Sequence, residues 1–155
     1  MEKTRDKLAC RFVETPIGPV TLVADDGALI EARFGGFPIS HESAVLDQAE
    51  RELREYFLRE RRAFDVPLAP RGTPFQLSVW EEVRRIPYGE TRAYIDIARA
   101  LGNEKACRAV GRANNRNPLP LFVPCHRVIG RDGSLVGYAG GMAAKKWLLR
   151  MEQEQ

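Results

Sequence analysis

The feature that most constrains the fold is a change of hydrophobic period between the first forty or so residues and those that follow. Residues 8–14, 20–24 and 29–34 are short runs rich in β-branched and aromatic residues, with turn-forming Pro, Gly and Asp between them. Residues 41–60 instead repeat their apolar side chains at helical spacing. This order predicts three strands followed by a helix.

A segment rich in proline and glycine, residues 65–73, is typical of a linker between two compact units. The residues Thr73-Pro74-Phe75-Gln76 then combine an N-cap threonine, a proline at the first helical position and the glutamine of a capping box. They predict a helix that stops at Pro87-Tyr88-Gly89. We therefore expect an N-terminal β/α domain over residues 1–70 and a C-terminal domain over residues 71–155.

The second domain is predicted to be mainly helical. Further helices are expected over residues 91–101, 103–115 and 142–152, with Gly102 between the first two. Two short helices around a glycine-containing turn are typical of a helix-turn-helix, although many such pairs only pack together. The chain as a whole predicts an α+β fold, in which a small domain of sheet and helix packs on a helical domain.

The distribution of charge favours a polyanionic partner for the second domain. Residues 1–70 carry ten basic and thirteen acidic side chains, whereas residues 71–155 carry fourteen basic and eight acidic ones. A basic half of this kind attracts nucleic acid, and a solvated face without a partner is the alternative. No apolar run approaches the roughly 20 residues that span a bilayer, and no signal peptide is recognisable at the N-terminus. We expect a soluble, cytoplasmic protein with no membrane partner.

The chemistry is predicted to centre on Cys125, which is followed directly by His126 and Arg127. A thiol reacts as its thiolate, and a nearby imidazole or positive charge makes that form accessible. Adjacent side chains need not touch, so a proton relay from Cys125 to His126 is expected to pass through water; His126 can instead be structural. Cys10 and Cys107 are predicted to be small buried groups. Three scattered cysteines and two histidines argue against a disulfide framework and against a metal site.

The helix expected over residues 103–115 carries Arg108 among small residues such as Ala109 and Gly111. Small side chains let a helix approach either a nucleic-acid groove or a neighbouring helix closely, and the residues alone leave both open. Combined with a reactive cysteine, this basic helix predicts a nucleophile that is delivered to a nucleic acid.

Six segments of the second domain occur together, in this order, in one known family. They are residues 89–94 (Gly-Glu-Thr-Arg-Ala-Tyr), 108–111 (Arg-Ala-Val-Gly), 117–118 (Asn-Pro), 124–128 (Pro-Cys-His-Arg-Val), 137–141 (Gly-Tyr-Ala-Gly-Gly) and 145–152 (Lys-Lys-Trp-Leu-Leu-Arg-Met-Glu). The set resembles the O6-alkylguanine-DNA alkyltransferases, or methylated-DNA–protein-cysteine methyltransferases. Residues 15–19 (Thr-Pro-Ile-Gly-Pro) also resemble the N-terminal domain of that family.

The resemblance implies direct, irreversible DNA repair by a single-turnover enzyme. An O6-alkylguanine is flipped out of double-stranded DNA, and its alkyl group moves to the sulfur of Cys125. His126 is implied to act through water as the base, and Glu152 to orient and charge His126. Asn117 would brace the reactive loop, and Tyr94 would donate to the departing guanine. The lesion itself brings the electrophilic carbon, so the resemblance implies no cofactor.

The resemblance also implies how the DNA is held. Arg108 would fill the space that the flipped base leaves, and its helix would enter the minor groove without sequence preference. The other implied DNA contacts are Ala109, Gly111, Thr91, Tyr94 and Asn115. The implied pocket for the guanine and its alkyl group consists of Asn114, Pro120, Val128, Tyr138 and Ala139. A monomer is expected, with cooperative binding along DNA left open.

Three other functions stay open on the sequence alone. A non-catalytic sensor of alkylated DNA would lack the acceptor cysteine, so Cys125 argues against it. A helix-turn-helix regulator would bind particular sequences in the major groove. A cysteine hydrolase would turn over many substrate molecules instead of being consumed.

Overall fold

A computed structural model of the chain describes residues 8–135 and 137–154, and the chain divides into two compact units between Pro70 and Arg71. The first unit contains a sheet and a helix, and the second is mainly helical, so the predicted α+β class is confirmed. Among the described residues, no helix is long and apolar enough to cross a membrane.

The first unit is built on a three-stranded antiparallel sheet in the order β1-β2-β3. Its strands are β1 (Ala9–Val13), β2 (Val20–Ala24) and β3 (Leu29–Phe34). The turn between β2 and β3 is closed by Asp25, whose Oδ1 accepts from the backbone N–H groups of Gly27 and Ala28. The short β-rich runs separated by turn residues therefore form the three strands that the sequence predicted.

Helix α1 (Ala44–Phe57) buries one face, which includes Leu46, Leu53 and Tyr56. It is shorter than the predicted span of residues 41–60 at both ends. At the start, Ser43 is the N-cap and its Oγ accepts from the Leu46 N–H at 3.1 Å. At the end, Arg59 has a φ of 64°, which the helix cannot continue through.

The second unit contains four α-helices and a small parallel strand pair among the residues described. These are α2 (Pro74–Arg84), β4 (Arg92–Ala93), α3 (Tyr94–Ala100), α4 (Cys107–Asn115), β5 (Val128–Ile129) and α5 (Met142–Gln153). Helix α2 begins as predicted, because Thr73 and Gln76 form a reciprocal capping box. Trp80 of α2 donates its Nε1–H to the Ala113 carbonyl at 2.8 Å and so attaches α2 to the end of α4.

Helices α3 and α4 form the predicted helix-turn-helix, but both begin later than expected. Arg92 and Ala93 pair in parallel with Val128 and Ile129, so α3 starts only at Tyr94. The pairing partner is more than thirty residues away, which local sequence cannot reveal. Asn103 caps a short 3₁₀ turn (Glu104–Ala106) before α4, so the expected helix over residues 103–115 has two parts.

Candidate active site

Cys125 lies at the start of a 3₁₀ turn (Cys125–Arg127) and is preceded by a tightly held loop. Asn117 holds that loop with both ends of its amide. Its Nδ2–H donates to the Val123 carbonyl at 2.9 Å, and its Oδ1 accepts from the Leu119 N–H at 2.9 Å. Leu121 inside the loop has a φ of 78°, a strained value for a leucine. The loop therefore presents the thiol from a fixed backbone.

The Cys125 thiol is buried, and burial raises its pKa to about 11. A hydrogen bond from Asn117 and the positive charge of Lys145 act in the opposite direction. We expected His126 and Arg127 to favour charge on the sulfur, but the structure assigns that influence to Asn117 and Lys145. The thiol is therefore held neutral near pH 7, with two groups beside it that can stabilise an anion.

His126, Arg127 and Glu152 form a buried ionic cluster. One Glu152 oxygen lies 2.8 Å from His126 Nε2 and 2.9 Å from Arg127 Nη2, and the other accepts from Arg127 Nε at 2.8 Å. Arg127 also donates to the Ile86 carbonyl at 2.8 Å. Burial raises the pKa of Glu152, but the hydrogen bonds from His126 and Arg127 outweigh it and bring that pKa to about 2. Glu152 is therefore a carboxylate at physiological pH.

The bond to Glu152 fixes the tautomer of His126. A carboxylate accepts, so Nε2 carries the proton and Nδ1 is left as the basic nitrogen. Nδ1 is buried and has no hydrogen-bond partner among the described residues. Burial lowers the pKa of His126 while Glu152 raises it, and burial dominates. The resting imidazole is therefore neutral and ready to accept a proton at Nδ1.

Lys145 is a member of the site that sequence reasoning missed. Its side chain is fully buried, and its Nζ donates to the Val128 carbonyl at 2.8 Å. Burial lowers the pKa of Lys145, and the neighbouring Cys125 raises it. A signal was present in the sequence, since Lys145 shares one helical stripe with Leu148, Leu149 and Glu152, and a lysine on such a stripe is buried with them.

Tyr94, the first residue of α3, is brought close to Cys125. Burial raises the pKa of Tyr94, the Cys125 charge raises it further, and a hydrogen bond from Asn114 lowers it. A Cβ added to Gly111 would lie 3.8 Å from the Tyr94 ring, so α4 presents its glycine to this ring. Asn114 Oδ1 is buried and lacks a hydrogen-bond partner among the described residues.

Tyr138 closes another side of the site. Its ring packs edge-on against His126, with ring centroids 6.3 Å apart. Burial, together with the Cys125 and Glu152 charges, raises the pKa of Tyr138 well above its ordinary value. Among the other predicted pocket residues, Pro120 and Val128 are buried within the reactive segment, whereas Ala139 is exposed.

Two of the six predicted DNA-binding residues are exposed, and the other four are half-buried. Arg108 and Asn115 are exposed on α4, and Ala109 lines a groove between α4 and the start of α2. Thr91 is not grouped with the Cys125 site; it lines a separate cavity of about 480 Å³ with Lys146 and other residues.

Two family descriptions match consecutive parts of the chain. Residues 8–70 match the ribonuclease-like domain, and residues 74–154 the DNA binding domain, of 6-O-methylguanine DNA methyltransferase. The fold and the site thus define a class of proteins in which a ribonuclease-like domain precedes a DNA-binding domain with a buried cysteine.

Individual relatives are similar over nearly the whole chain. The methylated-DNA–protein-cysteine methyltransferase of Methanosarcina acetivorans is 49% identical over 90% of this chain and 94% of its own length. The constitutive enzyme of the same name from Bacillus subtilis is 55% identical over 72% of this chain and 68% of its own length. The crystal structure of Mycobacterium tuberculosis OGT in complex with DNA superposes with a TM-score of 0.86, at 42% identity, and covers 93% of this chain and 92% of that one.

The chain belongs to the 6-O-methylguanine DNA methyltransferase family. The family predicted from the six ordered segments is therefore confirmed.

Proposed function

We propose that this protein is a methylated-DNA–protein-cysteine methyltransferase that repairs O6-alkylguanine by moving the alkyl group to its own Cys125. Family membership supports the reaction, and one observation carries the assignment of the acceptor. Cys125 is buried beside a neutral His126 whose unpartnered Nδ1 is directed away from the Nε2 bond to Glu152. Cys10 also lies beside a histidine, His41, but the Nδ1 of that imidazole already accepts the Cys10 backbone N–H at 2.9 Å, and no carboxylate bonds to it among the described residues. Cys107 has no hydrogen bond to a histidine in the described part of the chain.

The Cys125 thiol becomes a thiolate only when a nearby base accepts its proton. His126 Nδ1 accepts that proton through a water molecule, and Glu152 stabilises the imidazolium that forms. Asn117 and Lys145 stabilise the thiolate against the cost of burial. Because the pKa of the resting thiol is about 11, the free protein keeps its acceptor protonated and protected from other electrophiles.

The transfer balances without a cofactor. The S–C bond forms as the C–O6 bond breaks, and the electron pair of that bond stays on the guanine. Tyr94 donates a hydrogen bond or a proton to the departing guanine. The thiol loses one proton to His126 and the guanine gains one, so the reaction neither consumes nor releases a proton overall. The thioether that results is stable, so each molecule acts once.

The helix-turn-helix supplies the DNA-binding part of this function. A relative has been crystallised in complex with DNA, which supports a DNA partner for this chain as well. Arg108 fills the vacated stack, and the small residues Ala109 and Gly111 allow α4 to enter the minor groove. Thr91 and Asn115 add contacts to the backbone, and Asn114, Pro120, Val128, Tyr138 and Ala139 line the pocket of the extruded base. The protein acts as a monomer and reads no particular sequence.

Intact-protein mass spectrometry after incubation with a duplex that contains one O6-methylguanine tests this function. We expect the mass of one methyl group per molecule, mapped by peptide analysis to Cys125. Cys125→Ala should gain no mass and should still bind the duplex, and Cys107→Ala is the matched control that should gain the methyl group normally.

Other outcomes would each contradict the proposal in a distinct way. Binding without a mass gain in the wild-type protein would indicate a sensor of alkylated DNA. Repeated turnover would indicate a hydrolase, and tight binding to one unmodified sequence would indicate a regulator.

A further inference from the structure

Helix α4 and the residue that follows it carry a column of three arginines spaced four residues apart: Arg108 and Arg112 in the helix, and Arg116 as its C-cap. Residues at this spacing lie on one side of a helix. All three are exposed. Sequence and family reasoning gave a role only to Arg108, and the other two continue its column towards the end of the helix.

The guanidinium groups of Arg112 and Arg116 make no hydrogen bond or ion pair with any described residue. Three other arginines of the same unit do have a counter-charge: Arg85, Arg92 and Arg99 each lie within 3.0 Å of a glutamate oxygen. The sequence of α4 contains no acidic residue that could neutralise its arginines. Two adjacent guanidinium groups without counter-charges repel each other slightly, so their placement favours a partner that brings negative charge.

The space beside these arginines is a groove with rigid walls. Arg112 and Arg116 line it on the α4 side, and Thr73, Phe75 and Gln76 line it at the start of α2; its volume is about 300 Å³. The capping box between Thr73 and Gln76 fixes one wall. The Trp80–Ala113 hydrogen bond fixes the distance between the helices. No acidic side chain lines this groove.

The groove also borders the surface that the proposed function gives to DNA. Arg108, Gly111 and Asn115 are spaced by three and four residues and share one face of α4. Arg112 and Arg116 continue from Arg108 along the edge of this face that is turned towards the start of α2. A helix that lies in a DNA groove has backbone phosphates along both of its sides, so this column meets the phosphates on the α2 side.

We propose that Arg112 and Arg116 bind backbone phosphates of the DNA, and that the groove between α4 and the start of α2 is a phosphate-binding surface separate from the site of the flipped base. The inference rests on the proposed DNA-repair function. The planar guanidinium fork suits phosphate oxygens, which it contacts in pairs. The contacts give affinity and register but no sequence or lesion preference.

The salt dependence of binding to an undamaged duplex tests this surface. Each phosphate contact contributes about 0.9 to the slope of log affinity against log salt. The double variant Arg112→Gln/Arg116→Gln should therefore lose about 1.8 from that slope, and its affinity at 0.1 M salt should fall roughly 50-fold. The double variant Arg112→Lys/Arg116→Lys keeps the charges without the forks and should retain most of the slope with a weaker affinity. Thermal unfolding of each variant establishes that it is folded.

A matched control is the pair Arg51→Gln/Arg84→Gln, which removes two exposed positive charges, one on α1 and one at the far end of α2. The slope of this control should change by much less than the roughly 0.9 that one phosphate contact contributes. If Arg112→Gln/Arg116→Gln and the control pair lost the same amount of slope, the proposal would be overturned, because binding would then respond to net charge alone. An unchanged slope in Arg112→Gln/Arg116→Gln would overturn it as well.

The proposed function is judged separately, by the methyl group that the wild-type protein gains from the methylated duplex. A wild-type protein that binds DNA without gaining mass would contradict the repair function, and the salt slopes would still decide the phosphate-binding surface. A wild-type protein with no affinity for DNA would contradict both.

Discussion

Each of the two units buries one glutamate on a helix, and the two glutamates have different roles. Glu52 on α1 and Glu152 on α5 are each 1% exposed. A buried carboxylate is costly unless its oxygens are fully bonded, and both glutamates meet that condition. The comparison therefore lies in what each one bonds to.

Glu52 is bonded to neutral groups, two of them in the backbone. One oxygen accepts from the N–H groups of Asp65 and Val66 at 2.8 and 3.0 Å, and the other accepts from Gln48 Nε2 at 2.8 Å. These bonds attach the segment after α1 to the helix. The role of Glu52 is to fix the path of the chain.

Glu152 is bonded to ionisable side chains, His126 and Arg127. Its charge decides which nitrogen of His126 carries the proton and stabilises the imidazolium when one forms. Two equally buried carboxylates thus differ in their effect. Glu52 bonds to backbone groups and Gln48 and fixes the path of the chain, whereas Glu152 bonds to ionisable side chains and sets the protonation of His126.

The largest predicted effect is that of Glu152→Gln. Removing this carboxylate leaves Arg127 buried without a counter-charge, which should lower the free energy of unfolding by about 3–5 kcal/mol. Methyl transfer should also be lost in protein that is still folded, because His126 loses the group that stabilises its protonated form. Urea unfolding and single-turnover transfer measure the two effects, with the exposed Glu81→Gln as the control. A loss of stability below about 1 kcal/mol would show that the cluster is not a coupled unit.

The free energy of unfolding should also depend on pH through the buried cluster of His126, Arg127 and Glu152. The pKa of Glu152 is about 2 in the folded protein and 4.5 in the unfolded chain, so the folded state holds the proton less tightly. Its contribution to stability is complete above pH 4.5 and is lost as the pH falls from 4.5 towards 2. The difference in unfolding free energy between the wild-type protein and Glu152→Gln should therefore narrow across that window. A constant difference would contradict the low pKa.

Glu52→Gln should have a smaller effect, confined to stability. The glutamine would replace one acceptor oxygen with an NH₂ donor, which would face the N–H donors that Glu52 now accepts from. This mismatch should lower the free energy of unfolding by about 1–3 kcal/mol. Transfer by the folded protein should be unchanged, because Glu52 bonds to no group of the Cys125 site. A loss of transfer in folded Glu52→Gln would remove the distinction between the two glutamates.

Much of the architecture could be predicted because its causes are local. The strands follow from short β-rich runs between turn-forming residues. Helix α2 begins where Thr73 and Gln76 predict it, because the capping box needs only four consecutive residues. The late start of α3 could not be predicted, since it depends on a parallel pairing of Arg92 with Val128. The sequence does not encode that partner within any local pattern.

The residues of the candidate site also divide into those that the sequence could predict and those that it could not. Cys125 and His126 are adjacent in sequence, and Glu152 is joined to them by a resemblance, so all three could be named in advance. The partner of Arg127 could not be named, because an arginine beside a cysteine can turn towards the sulfur or away from it. The structure directs Arg127 to Glu152 and leaves Lys145 as the cation that acts on Cys125. Direction and burial of long side chains depend on packing, which composition does not determine.

The smallest predicted effect comes from an ion pair with the same geometry in the other unit. Arg33 donates two hydrogen bonds to the Glu31 carboxylate, at 2.6 and 3.0 Å. Arg127 donates two to the Glu152 carboxylate in the same way, at 2.8 and 2.9 Å. Arg33, however, is 66% exposed, so water and salt screen its charge and solvate whichever partner remains after substitution.

A double-mutant cycle with Glu31→Gln and Arg33→Gln should therefore give a coupling energy below about 1 kcal/mol, and 1 M salt should reduce it further. Thermal or urea unfolding of the four proteins measures that coupling. If it approached the effect of Glu152→Gln, geometry and not burial would set the strength of these pairs. A small value would show that the same guanidinium–carboxylate fork matters in this protein only where desolvation leaves each charge dependent on the other.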